Sequence, residues 1–128
     1  MFEAALAKDG YASSVETTAS PRNMEYQVFA RVTRRLANAG DGSLPQFTEL
    51  AEALHDNIRL WTVVAADVAS ERNSLSKDLR SKLFYLFEFT RKHSAKVLDG
   101  EADADVLVDI NMSVMRGLRG ELDQGGEE

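Results

Sequence analysis

Apolar residues recur at spacings of three and four along most of the chain, the period of an α-helix with one buried face. The clearest stripe runs Phe47, Leu50, Leu54, Asn57 or Ile58, Trp61, Val64 or Ala65, and Val68. It predicts a helix that begins at Ser43, where Gln46 three residues on completes a capping-box pattern and Pro45 is tolerated in the first turn, and that ends near Ser70. Upstream, Ser20 before Pro21 pairs an N-cap with a proline at the first helical position. Phe29, Val32 and Leu36 then recur before Gly40, which predicts a helix over about residues 21 to 39. Downstream, a polar link containing Asn73 leads to Ser76, the N-cap of a third helix that reaches about Val97 and stops at Gly100. A fourth helix starts at Asp103 or Asp105, with Leu107, Ile110, Val114 and Leu118 on one side, and Gly117 and Gly120 weaken its end.

The third helix does not fit a single stripe. Leu79, Leu83, Phe84, Tyr85, Leu86, Phe87 and Phe89 cover most of its circumference at 100° per residue, so it is either central in a bundle or turned toward a partner. Acids fall early and bases late in each helix, from Glu25 to Arg34 and Arg35 in the first to Asp105 and Asp109 then Arg116 and Arg119 in the fourth, as the helix dipole favours. The expected fold is all-α: a small bundle of about four helices over residues 21–119, preceded by a flexible arm at 1–20 and followed by a disordered acidic tail at 120–128. The arm is rich in small and polar residues, with the aromatic Tyr11 near its middle.

Composition narrows the function classes. A chain of 128 residues suits one domain, and 44% hydrophobic with 28% charged residues is a globular balance. With no cysteine there is no disulfide framework, thiolate metal site or cysteine nucleophile. No apolar run approaches a membrane span, and the first ten residues hold Glu3 and Asp9 without a signal-peptide pattern, so the expected location is the cytoplasm, with no membrane contact. The net charge of -6 opposes direct nucleic-acid binding, which needs a concentrated basic face.

Candidate chemistry is sparse. Of the two histidines, His55 follows Glu52 at the E-x-x-H spacing of di-iron bundles, but the second such pair is missing, and solvated helix surface is the simpler reading. The acids between Asp99 and Asp109 lack the calcium-loop pattern, and no phosphate loop or nucleophile elbow occurs. The chain is therefore read as a non-enzyme with no cofactor and no metal site, one that acts by binding another protein.

The second helix and its exit carry a more specific signal. Asn57, Arg59, Leu60, Trp61, Val64, Asp67, Val68, Ala69, Asn73 and Leu75 form a string that resembles the signature of the flagellar biosynthesis regulator family called FlaF. Tyr11 and Pro21-Arg22-x-x-Glu25 resemble that family's N-terminal region, Leu79-Arg80-x-x-Leu83 the start of its third helix, and Ile110-Asn111 with Gly117-Leu118 its ending. Where the family commonly shows proline in the link, this chain has Glu71 or Arg72 and then Ser76, itself a competent N-cap. The resemblance implies a cytoplasmic, non-enzymatic protein that binds flagellin as its export chaperone and regulates flagellin synthesis after transcription, with the FlbT regulator as a candidate second partner. The alternative in a different class is a regulator that binds flagellin messenger RNA directly.

A surplus of apolar surface on the third helix places the expected partner-binding residues at Phe84, Tyr85, Phe87 and Phe89, with Tyr11 of the arm covering part of that face. Trp61, Leu54 and Val68 are expected in the core, and Asn57 at its edge with a specific hydrogen-bond role.

Overall fold

The computed structural model describes residues 21–40 and 43–125. Among them are four α-helices and no strand: α1 (Pro21–Ala37), α2 (Phe47–Ala69), α3 (Lys77–Leu98) and α4 (Asp105–Gly125), with a 3-10 turn at Leu44–Gln46 leading into α2. The expected arm, with Tyr11, and residues 126–128 lie outside the described residues, as do Asp41 and Gly42. The fourth helix runs past Gly117 and Gly120 to Gly125. A glycine inside a helix costs only about 1 kcal/mol, which neighbouring good helix formers offset.

On α1 the buried positions Val28, Phe29, Val32 and Leu36 lie on one stripe, joined by two polar residues, Glu25 and Thr33. Glu25 is thus interior rather than a first-turn acid. On α2 the stripe is Leu50, Leu54, Asn57, Trp61, Val64 and Val68, and Ala53, Leu60 and Ala65 widen it. Phe47, expected on this stripe, is 43% exposed because the bundle begins one turn later.

Two apolar clusters fill the interior. One gathers Phe29, Val32, Leu60, Trp61, Val64, Val68 and Met115, and the other Leu36, Leu50, Leu54, Val97 and Leu107. Phe29 meets Trp61 edge-on, with ring centroids 5.9 Å apart, while Leu36 shares the second cluster with Leu54, so α1 and α2 run antiparallel. Helix α2 packs mainly on α3, and α1 on α4 and α2, whereas α3 and α4 touch little. The third helix is therefore peripheral rather than central in the bundle. Its fully buried residues are Thr90, Ser94 and Val97, all small, so the helix sits close to the bundle along its second half and turns its large side chains sideways or outward.

The helix ends show which local signals were used. Ser76 caps α3 as expected, its hydroxyl accepting from the Leu79 N–H at 3.2 Å. At the other end Gly100 has φ +77°. The Glu101 N–H bonds the Lys96 carbonyl at 2.9 Å and the Gly100 N–H bonds that of Val97 at 3.1 Å, a Schellman closure. The capping box expected at Ser43 does not form. With proline in its first turn the chain takes a 3-10 turn, the Gln46 N–H bonds the Ser43 carbonyl at 2.8 Å, and Ser43 makes no side-chain cap. The Gln46 side chain instead lies over Gly40, whose φ is +86°.

These two glycines give a paired prediction. Gly100→Ala meets only the left-handed backbone, since nothing lies within 4 Å of an added Cβ, and should cost about 1–2 kcal/mol. Gly40→Ala carries the same backbone term and must also push Gln46 aside, so its loss in chemical denaturation should be the larger of the two. Equal losses would show that the Gln46 side chain moves freely.

Candidate partner-binding face

Residues of the α2 signature divide into two groups, both structural in their contacts. Asn57 and Trp61, one turn apart on α2, face Asn111 on α4, and all three are fully buried. The Trp61 indole N–H donates to Asn111 Oδ1 at 2.9 Å, and the Asn111 amide donates to Asn57 Oδ1 at 2.8 Å. One asparagine thus joins two helices whose backbones are not close neighbours. Asn57 is deeper than the core edge, and its Nδ2 makes no hydrogen bond. Leu60 is buried beside this relay and Arg59 is exposed.

Asp67, Asn73 and Leu75 build the link from α2 to α3. Asn73 is buried; its amide donates to Asp67 Oδ2 at 2.9 Å while its Oδ1 accepts from the Leu75 N–H at 2.9 Å. Leu75 then packs on the first apolar cluster. Arg80 reaches back from α3, its Nε donating to the Val68 carbonyl at 2.8 Å and Nη2 to that of Ser70 at 3.3 Å. It supplies the cation that the last turn of α2 lacks, and it ties the link without proline.

The outward face of α3 remains. Tyr85 is 68% exposed and Phe84 42%, with Leu79 exposed one turn earlier. Phe87 is half-buried against the first cluster and holds the Phe84 ring at 5.7 Å between centroids. Phe89 is half-buried against the second cluster and stacks on His93 at 5.3 Å, while His93 Nε2 bonds the Asp103 carbonyl at 2.8 Å. The four aromatics therefore separate into two that are exposed, Phe84 and Tyr85, and two that are half-buried, Phe87 against Phe84 and Phe89 against His93. At the start of the helix Val68, Lys77, Arg80, Ser81 and Phe84 line an open groove between α2 and α3. Sequence periodicity found the surplus; only the packing order of the helices says which rings it leaves outside.

Among the described residues no three of His, Asp, Glu or Cys come together as metal ligands. Glu52, the acid of the E-x-x-H pair, is taken by Arg35 of α1 at 2.8 Å, and Arg35 also holds Asp56, so these α2 acids fasten α1 to α2. No helix of the described residues is long and apolar enough to cross a membrane.

Fold and surface together define an all-helical protein whose polar signature serves its interior and whose unused surface is an aromatic helix face. Compared with known families, the chain matches the one described as flagellar protein FlaF over residues 7–118, nearly its whole length. It belongs to the FlaF family and is a flagellar protein. No curated protein and no solved structure matches it.

Proposed function

We propose that this protein binds flagellin through the outward face of α3, acting as an export chaperone and as a regulator of flagellin synthesis in flagellum assembly. The observation that carries the reading is the exposed pair Phe84 and Tyr85 on a peripheral helix, with the Phe84 ring held by Phe87. Large aromatic groups in water are costly, and rings fixed by their neighbours lose little further freedom when a partner covers them. An amphipathic helix laid against such a face would bury its own apolar stripe there. FlbT is a second proposed partner, and the cytoplasm the proposed location.

The test is co-purification of flagellin with the wild-type chain and with Phe84→Ala and Tyr85→Ala. Exposed side chains contribute little to folding, so both variants should melt within a few degrees of wild type. Flagellin binding should weaken by about ten-fold or more for at least one of them, the scale of an interface anchor. Unchanged affinity in both would place the partner site elsewhere, and recovery of flagellin messenger RNA in place of flagellin, lost steeply with added salt, would favour the direct RNA reading.

A further inference from the structure

Each helix crosses from one apolar cluster to the other, and at each crossing stands a polar residue. On α1 it is Thr33, between Phe29 and Leu36; on α2 Asn57, between Trp61 and Leu54; on α3 Thr90, between Phe87 and Val97; on α4 Asn111, between Met115 and Leu107. All four are buried, at 4%, 0%, 1% and 0% exposure. They form one polar layer across the bundle, at the level marked by the hydrogen bond from Asn111 to Asn57.

The layer ties the helices unequally. Asn111 joins α4 to α2 through both Asn57 and Trp61. The third helix brings Thr90, whose Oγ1 has no hydrogen-bond partner, and Ser94 one turn on, whose hydroxyl donates to the Thr90 carbonyl of the same helix at 2.7 Å. Thr33 Oγ1 and Asn57 Nδ2 also lack partners. A buried polar group without a partner regains hydration when the interface over it opens, so each such group favours an open form over the closed one. Little on α3 opposes that gain. Its buried side chains are Thr90, Ser94 and Val97, and it meets α4 sparingly. Arg80 fixes its first turn to the end of α2, while His93 holds the loop before α4 and can carry it along.

We propose that α3 is a hinged element: it pivots about its Arg80 end and lifts from the polar layer while α1, α2 and α4 stay packed. The free protein then exchanges between a closed form and a minor open one. The open form uncovers the α2 surface beneath α3, an apolar seat that the closed form does not present. The inference concerns the free protein and does not rest on the flagellin reading.

The test is amide hydrogen exchange of the full chain, followed by NMR at rising but sub-denaturing urea. A helix lifted from its neighbours frays, and its amides then exchange. After correction for intrinsic rates, the slowest amides of residues 90–98 should exchange about ten-fold or more faster than the slowest of α2, with a shallower urea dependence because less surface is exposed. Thr90→Val removes the unpaired hydroxyl and keeps the shape of the side chain, so it should slow these amides by about ten-fold, the scale of one unpaired buried group. Thr33→Val makes the same change in the same layer on a helix that stays packed; it should slow the α2 amides and leave those of residues 90–98 unmoved. Exchange of residues 90–98 at the α2 rate and with the α2 urea slope would mean that α3 leaves only on global unfolding, and overturns the proposal. A Thr33→Val chain that slows α3 as much as Thr90→Val does, or a Thr90→Val chain whose α3 amides are unchanged, overturns it too.

Discussion

Trp61→Ala is expected to lower the stability of this protein by about 3–5 kcal/mol, enough to unfold most small domains near physiological temperature. The indole is completely buried, packs edge-on against Phe29, and belongs to the larger of the two clusters. Its removal opens a cavity bounded by α1, α2 and α4, where the surrounding rings cannot collapse without shifting a helix. It also strips Asn111 Oδ1 of its donor, which adds the cost of an unpaired buried acceptor. Trp61→Phe separates the two parts: it restores most of the volume and leaves only the lost hydrogen bond, so its cost should fall to about 1–3 kcal/mol. Urea denaturation followed by circular dichroism reads both. A Trp61→Ala chain with an unchanged midpoint but no flagellin binding would show that the indole belongs to the interface and not to the core.

Asn111→Ala should be the second most damaging change, at about 2–4 kcal/mol, since it leaves two buried groups unpaired, the Trp61 N–H and Asn57 Oδ1, each worth about 1–3 kcal/mol. Asn57→Ala should cost less. It breaks one hydrogen bond of the relay and at the same time removes the Asn57 Nδ2, which has no partner to lose. Replacing both asparagines in one chain should therefore cost less than the sum of the two single changes, because they share a bond. The ranking is checked by a double-mutant cycle; a larger loss for Asn57→Ala than for Asn111→Ala would mean that the relay is not centred on α4.

The same relay explains why a family signature can be easy to see and yet silent about the site. Asn57 and Trp61 tie α2 to α4, while Asp67, Asn73 and Leu75 shape the exit toward α3. These positions need particular side chains because buried amides and indoles must find partners, and a turn that carries a buried asparagine tolerates few alternatives. A helix face that binds by apolar contact needs only size and apolarity, and leaves a fainter trace in the sequence. The exposed pair Phe84 and Tyr85 stands outside that string.

By itself the sequence determined four helices, their approximate bounds, the interior placement of Leu54, Trp61 and Val68, and the cap at Ser76. Each rests on interactions within a few residues, namely the 3.6-residue period, a hydroxyl accepting from a nearby N–H, and glycine in a left-handed conformation. Local signals failed where two of them competed, as at Ser43, where proline and the Gln46 side chain favoured a 3-10 turn over the capping box. Only the tertiary structure decided that Asn57 is fully buried, that its partner is Asn111 fifty-four residues away, and that α3 lies at the periphery with Phe84 and Tyr85 outside. Periodicity says how many sides of a helix are apolar. Which of those sides a neighbour covers depends on the order in which helices pack, and that order is set by contacts between residues far apart in the chain.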